Sequence, residues 1–400
     1  MSASGRIAGG RAARRVVLLV LDGVGIGAAH DAAMYGDVGS DTLGNTARAA
    51  GGFDLPNLES LGLGTLAPIA GMRDEGTGTA ARTILQPASA GKDSTTGHWE
   101  LCGVVLSRPF PTFPAGFPPA LLAEFARLTG RPVIGNVVGS GTEIIQRFGP
   151  EQVASGGLIV YTSADSVFQV AAHEGVVPLE ALYAACETAR ALLVAPYDVS
   201  RVIARPFEGD ESTGFHRTPR RRDFSLPPAG ETLLDALAQA GIARHGVGKV
   251  DDLFAGRSIA SAHTSDNADG IARIHEWMMR ADGGFLFANL VDFDQLYGHR
   301  NDVAGFYGAL RQFDRALPSL LSALREDDLL FITADHGNDP TTLSTDHARE
   351  RVPVLIAGSS VRPVQLPERQ SFADVGATVA EWFGLSFRGR GTSFLPEIVA

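Results

Sequence analysis

Three apolar runs in this chain each lead into an acid, and that pattern restricts the fold more than any other feature. Val16-Val-Leu-Leu-Val-Leu21 leads into Asp22. Leu286-Phe-Ala-Asn-Leu290 leads into Asp292 and Asp294. Leu329-Leu-Phe-Ile332 leads into Asp335 and His336. Runs without polar alternation read as strands buried on both faces, the pattern of a parallel sheet. The carboxyl ends of such strands share one edge, where ligands bind. Taken singly, each acid also fits a strand-end turn or a helix cap. Asp and His seldom close a buried strand without a partner, however, and three such endings in one chain favour a common site. His299 follows Asp294 by five residues and His347 follows His336 by eleven, so short polar loops can return both imidazoles to that edge.

Gly91-Lys-Asp-Ser-Thr-Thr-Gly-His-Trp-Glu100 places Ser94, Thr95 and Thr96 side by side. They precede a stretch expected to be helical over 98–105. A hydroxyl at a helix start faces unpaired N–H groups and the positive end of the dipole, which suits phosphate. The plain alternative is a Ser or Thr N-cap. Asp22, Asp294, Asp335, His299, His336 and His347 together make a mixed oxygen and nitrogen donor set. It suits Mn²⁺ or Zn²⁺ better than Ca²⁺ or a thiolate-seeking metal. Two divalent ions at one edge would clamp the attacking and leaving oxygens of a phosphoryl transfer, with a hydroxyl from the Ser94 segment as nucleophile.

Four hundred residues suggest two or three domains. With 44% hydrophobic and 20% charged residues, the composition is that of a soluble globular protein. A net charge of -11 argues against nucleic acid as a partner. Cys102 and Cys186 are the two cysteines, so neither a disulfide framework nor a thiolate metal site is expected. That fits a cytoplasmic, reducing setting. Val16 to Leu21 is too short to cross a membrane, and the arginines before it resemble a signal sequence only superficially. Residues 1–14 are expected to form a floppy tail.

Ser107 to Pro119 holds five prolines and reads as an extended joint, and Pro227-Pro-Ala-Gly230 as a second. Between them helices are expected over 121–128 and 179–193, and strands over 157–161 and 201–204. After them come a helix over 231–240, a strand within 242–250, a strand over 352–357 and a helix over 372–383. The ligand candidates fall before residue 100 and after residue 290. Residues 15–106 and 228–400 are therefore expected to build one discontinuous α/β core, with residues 107–227 inserted as a cap that closes over the site.

These residues resemble the bacterial phosphopentomutase family of the alkaline phosphatase superfamily. The matching stretches include Leu21-Asp-Gly-Val-Gly-Ile-Gly27, Gly36-Asp-Val-Gly-Ser-Asp-Thr-Leu-Gly44 and the Gly91–Glu100 segment. They continue with Tyr161-Thr-Ser-Ala-Asp-Ser166, Arg201-Val-Ile-Ala-Arg-Pro-Phe207 and Arg217-Thr-Pro219. Asn289 to Arg300 and Thr333 to Pro340 complete a resemblance that covers Arg15 to Leu395. It implies an alkaline-phosphatase-like core with a mainly parallel sheet flanked by helices, plus an inserted α/β cap. It implies an isomerase that interconverts α-D-ribose 1-phosphate and D-ribose 5-phosphate, and the 2-deoxy forms, through a phosphoenzyme and a pentose 1,5-bisphosphate. By the same resemblance two divalent ions, Mn²⁺ foremost, are held by Asp22, Asp335 and His336 and by Asp294, His299 and His347. Ser94 stands where the family usually has Thr, and is the implied nucleophile. Ser163, Asp165, Arg201, Arg217 and Lys249 are the implied substrate residues. The implied partners are small pentose phosphates, not nucleic acid or membrane, with the chain a monomer or weak homo-oligomer. A metal-dependent phosphatase or sulfatase, a mutase of phosphoglycerate type and a non-enzymatic metal binder are the competing readings.

Overall fold

The computed structural model describes residues 14–399 except 74, 77 and 164. The expectation for residues 1–14 lies, apart from Arg14, outside the described residues. In chain order the strands are β1 (Arg15–Leu21), β2 (Ala81–Leu85), β3 (Val133–Val138), β4 (Leu158–Thr162), β5 (Val167–His173), β6 (Arg201–Asp210), β7 (Gly214–Arg217), β8 (Arg222–Ser225), β9 (Arg244–Val247), β10 (Ser261–Ala262), β11 (Gly284–Leu290), β12 (Asp328–Thr333) and β13 (Val352–Ala357). They form two sheets in two compact units. One unit comprises the chain up to Pro109 and from Pro228 onward, the other Phe110–Pro227. The first joint thus lies three residues beyond the boundary expected at 106/107.

In the discontinuous unit the strand order is β10-β9-β11-β1-β12-β13-β2. All seven residues of β1 are buried, as its unbroken apolar run requires. Its neighbours β11 and β12 are both parallel to it, with Val20 opposite Asn289 and Thr333. Their carboxyl ends therefore finish level. The sheet is mainly parallel, but β13 runs antiparallel to β12. No helix intervenes between them, so the chain turns back directly instead of crossing over. Strand β2, which the sequence does not announce, pairs antiparallel with β13. The helix Val303–Ser322 buries Phe306, Leu310, Phe313, Leu317 and Leu320, a spacing that lines one face.

The Ser94 segment forms helix α1 (Ser94–Leu101), four residues earlier than the sequence suggests. Asp93 is the reason. Its carboxylate caps the helix by accepting from the Thr96 N–H at 3.1 Å, so helical geometry begins at Ser94. Gly103, at φ 88°, stops the helix short of Val105.

The Phe110–Pro227 unit carries a sheet of order β3-β4-β5-β6-β7, with β8 also paired to β6. Alternate residues of β4 face opposite layers. Leu158 and Val160 pack with Phe125, Phe168 and Leu182, under the helices Pro119–Thr129 and Leu179–Leu192. Ile159 and Tyr161 pack with Ile144 and Ile145 of helix α2 (Gly141–Ser155) and with Phe207 and Phe215. Among the described residues no helix is long and apolar enough to cross a membrane.

Candidate active site

Parallel register sets the site. Asp22 follows β1, Asp335 and His336 follow β12, and Asp294 lies in the single helical turn Phe293–Tyr297 after β11. His299 sits in the next turn, and His347 in the loop between β12 and β13. The structure brings all six side chains together. His336 Nε2 is 3.3 Å from Asp22 Oδ1 and 3.5 Å from Asp335 Oδ2. Asp294 lies 3.2 Å from His299 Nε2 through one oxygen and 3.5 Å from His347 Nε2 through the other. The His347 ring centroid is 4.3 Å from that of His336 and 4.8 Å from that of His299. One tight donor group is Asp22, Asp335 and His336. A second is Asp294, His336 and His347, so His336 belongs to both and His299 reaches the second through Asp294. Asp292, which shares the end of that apolar run with Asp294, instead accepts the Asn267 N–H at 2.7 Å.

The electrostatics call for a cation. Asp22, Asp294 and Asp335 are buried, and no Lys or Arg pairs with them among the described residues. Burial, then the charges of Asp335 and Asp294, push the Asp22 carboxyl up. Burial pulls His336 down, but Asp335, Asp22 and Asp294 outweigh it and lift the imidazole well above its usual range. Burial likewise opposes ionisation of Asp294, yet His347 and His299 hold it well below the carboxylate range. His299 is pulled down by burial and lifted to about 9 by its hydrogen bond to Asp294. Asp335 Oδ2 is fully buried, with ring nitrogens of His98 and His336 3.0 and 3.5 Å away. A cluster that draws protons onto imidazoles would be satisfied equally by metal ions, and its oxygen and nitrogen donors fit divalent cations.

A second layer orients these groups, and sequence reasoning alone did not find it. Asn289 donates to Asp22 Oδ2 at 2.9 Å, Asn338 to Asp294 Oδ1 at 2.7 Å, and the Gly23 N–H to Asp335 Oδ1 at 3.1 Å. The His98 ring, fully buried against Phe287, brings Nδ1 within 3.0 Å of Asp335 Oδ2. Nδ1 of His336 lies 3.0 Å from the Gly337 carbonyl and Nδ1 of His299 2.6 Å from that of Thr345, which aims each Nε2 at the cluster. A signal was present for one of them: Asn289 is a polar residue inside an apolar strand. Gly97 has a steric task, since any Cβ there would strike the backbone of Asp335 and lift α1 off the site.

Of the three adjacent hydroxyls, Ser94 faces the cluster. Its Oγ is 3.0 Å from His336 Nε2 and 3.4 Å from Asp22 Oδ1. The Thr96 hydroxyl is held by Asp93 at 2.6 Å. The approach to Ser94 is fixed from both sides. Lys92 lies 3.1 Å from Asp37 and 3.4 Å from Asp346, while buried Arg349 donates to the carbonyls of Pro87, Ser89 and Gly91 and pairs with Asp31. The expected substrate residues fall in both units. Ser163 Oγ is 3.4 Å from Asp165, Arg201 is 3.6 Å from Asp223, and Arg217 is exposed, all within the Phe110–Pro227 unit. Lys249 belongs to the discontinuous unit, with its amine 2.7 Å from Gln295, the residue after Asp294.

Comparison with known proteins places the chain in a family. The metalloenzyme superfamily matches residues 14–387. The phosphopentomutase of Carboxydothermus hydrogenoformans is 53% identical over 387 residues, which cover 96% of this chain and 99% of that protein. Those of Acetivibrio thermocellus and Anaeromyxobacter dehalogenans are 52% and 54% identical, over 96% of this chain and 100% and 99% of theirs. The chain belongs to the phosphopentomutase family of the metalloenzyme superfamily.

Proposed function

We propose that this isomerase interconverts α-D-ribose 1-phosphate and D-ribose 5-phosphate, and the 2-deoxy forms, by way of a phosphorylated Ser94 and a pentose 1,5-bisphosphate. The observation that carries the reading is the Ser94 hydroxyl, standing at the head of α1 within 3.0 Å of His336 and 3.4 Å of Asp22. Two divalent cations, assigned as Mn²⁺ and held by Asp22, Asp335 and His336 and by Asp294, His299 and His347, would neutralise phosphoryl oxygens and acidify the serine.

Ser94 carries the phosphoryl group between turnovers. The free hydroxyl of a pentose monophosphate attacks that phosphorus. The bond to Ser94 Oγ breaks as the bond to the sugar forms, and the proton of the attacking hydroxyl balances the oxygen left on Ser94. The bisphosphate then returns its other phosphoryl group to Oγ and leaves as the isomer. The N–H groups free at the start of α1 face the negative charge that gathers on the phosphoryl oxygens. Ser163, Asp165, Arg201, Arg217 and Lys249 bind the sugar and its second phosphate, for which the arginine fork is suited. Water must be kept from the phosphoserine in a mutase, as it need not be in a phosphatase.

The test is a coupled assay on ribose 1-phosphate that scores ribose 5-phosphate against inorganic phosphate. Isomer should form in large excess. Mostly free phosphate would replace the mutase reading with a hydrolase.

A further inference from the structure

His347 reaches the cluster from the end of a loop that the apolar core does not hold. No residue of 341–346 is buried, and Leu343 is fully exposed. The loop is closed at its base, where Gly337 and Ala348 exchange N–H···O bonds of 3.1 and 2.7 Å. Asp339 braces its start by accepting the Thr341 N–H at 2.9 Å and the Thr341 hydroxyl at 2.7 Å. A segment with so little apolar burial opens locally at low free energy. Polar contacts from outside therefore decide where its tip lies.

Two of those contacts come from the turn that carries His299. Nδ1 of His299 lies 2.6 Å from the Thr345 carbonyl, and Asn301 Nδ2 donates to the Thr342 carbonyl at 3.0 Å. A third, the ion pair of Lys92 with Asp346 at 3.4 Å, has a half-exposed carboxylate and contributes little. Asn301 is itself well anchored. At φ 51° and ψ 36° it occupies the left-handed region, which Asn tolerates better than most residues, and its N–H donates to the Gly298 carbonyl at 3.0 Å. The next residue, Asp302, caps the helix Val303–Ser322 by accepting the Gly305 N–H at 2.9 Å. A long core helix thus holds Asn301, and Asn301 holds the loop.

The same amide is a poor stabiliser of the fold. Its Oδ1 is buried without a hydrogen-bond partner, which offsets what Nδ2 gains. Its consequence is geometric instead. His299 and His347 stand on opposite sides of this contact, and both meet Asp294 through Nε2, at 3.2 and 3.5 Å.

We propose that Asn301 is a positioning residue for the Asp294 cation site. By docking the 341–346 tip onto the His299 turn, it fixes the place of His347 and the tautomer of His299 together. It is not itself a ligand. The proposal rests on the reading of Asp294, His299 and His347 as one ligand group.

The test compares the full-length chain with Asn301→Gly, which keeps the left-handed turn and removes the amide. In the metal-free variant, hydrogen exchange of the peptide over 341–346 should quicken by about fivefold to tenfold, the scale of one lost hydrogen bond. The Tm should stay close to that of the parent. Mn²⁺ titration against a competing indicator should show one site weakened by roughly 10- to 100-fold and the other unchanged. Asn301→Asp also suits the turn but presents a carboxylate to the Thr342 carbonyl, so it should quicken exchange likewise. Parent-like exchange in Asn301→Asp would assign the effect to backbone freedom and overturn the proposal. Parent-like exchange or parent-like affinity at both sites in Asn301→Gly overturns it too, as does an equal loss at both sites. In a His347→Ala background one site remains, and adding Asn301→Gly should leave its affinity unchanged; a further loss there is the contrary result. A His347→Ala chain that keeps both ions removes the ligand reading and this proposal with it. A His347→Ala chain that loses one ion, beside an Asn301→Gly chain that binds both as its parent does, removes this proposal alone.

Discussion

The hydroxyl of Ser94 lies 3.0 Å from Nε2 of His336, while two residues along the same helix the Thr96 hydroxyl turns to Asp93 at 2.6 Å. A one-residue shift rotates a side chain by about 100° on a helix, so one hydroxyl of the three faces the cluster. Ser94→Ala should lower turnover by on the order of a thousandfold or more. Thr95→Ala should keep a substantial part, and Ser94→Thr should remain active because it restores a hydroxyl at that position. Peptide mass spectrometry after incubation with a pentose 1,5-bisphosphate should place the phosphate on Ser94. Phosphate on Thr95 or Thr96 would sink the assignment.

Chelation should abolish activity, and Mn²⁺ should restore it best among divalent ions. His347→Ala should lose one metal per chain, since His347 contacts Asp294 from a loop and packs in no apolar core. Elemental analysis showing full occupancy in that variant would contradict the ligand assignment.

Asn289 and Asn338 should matter nearly as much as the groups they hold. Asn289→Ala frees the Asp22 carboxylate, and Asn338→Ala that of Asp294. Each should weaken metal affinity by roughly 10- to 100-fold while the chain stays folded. Metal titration against a competing indicator reads this directly, and unchanged affinity would show that the carboxylates need no such support.

Glu350 supplies a pH dependence. Burial, opposed by the Thr42 N–H and hydroxyl contacts and aided by Asp339 and Asp41, raises its carboxyl to about 8. Between the ordinary value of 4.5 and about 8 the unfolded chain has lost this proton while the folded chain keeps it. Stability from this group is therefore full at low pH and falls as pH rises through that window, by at most about 1.4 kcal/mol per pH unit. Glu350→Gln retains an oxygen for Thr42 and should flatten the slope. Denaturant melts of both chains from pH 5 to pH 9 check this; parallel profiles would exclude Glu350 as the source.

At the other end of β1, buried Arg15 donates from Nε to Asp328 Oδ1 at 3.0 Å. Asp328→Asn leaves the guanidinium buried without its counter-charge and should cost about 3–5 kcal/mol. The kcat of the folded fraction should not change, because this pair sits at the amino ends of the strands and the ligands at the carboxyl ends. A loss of kcat without a loss of stability would be the contrary result.

Much of the site is legible in the sequence. The runs ending near Asp22, Asp294 and Asp335 announce buried parallel strands, because burial on both faces removes polar alternation, and adjacent parallel strands deliver their ends to one edge. His336 and the Ser94 segment follow from short-range spacing. Other features were decided by tertiary contact. Helix α1 begins at Ser94 and not at His98 because of a cap that the composition of 98–105 does not reveal. The antiparallel course of β13 depends on a loop that returns without a helix. The partners Asn289–Asp22, Asn338–Asp294 and His98–Asp335 join residues 267, 44 and 237 positions apart in the chain. Hydrophobic period and capping are local, so they can be read along a sequence. Strand register and hydrogen bonds between distant segments exist only once the sheet has assembled, and they determine that Ser94, rather than Thr95 or Thr96, meets His336.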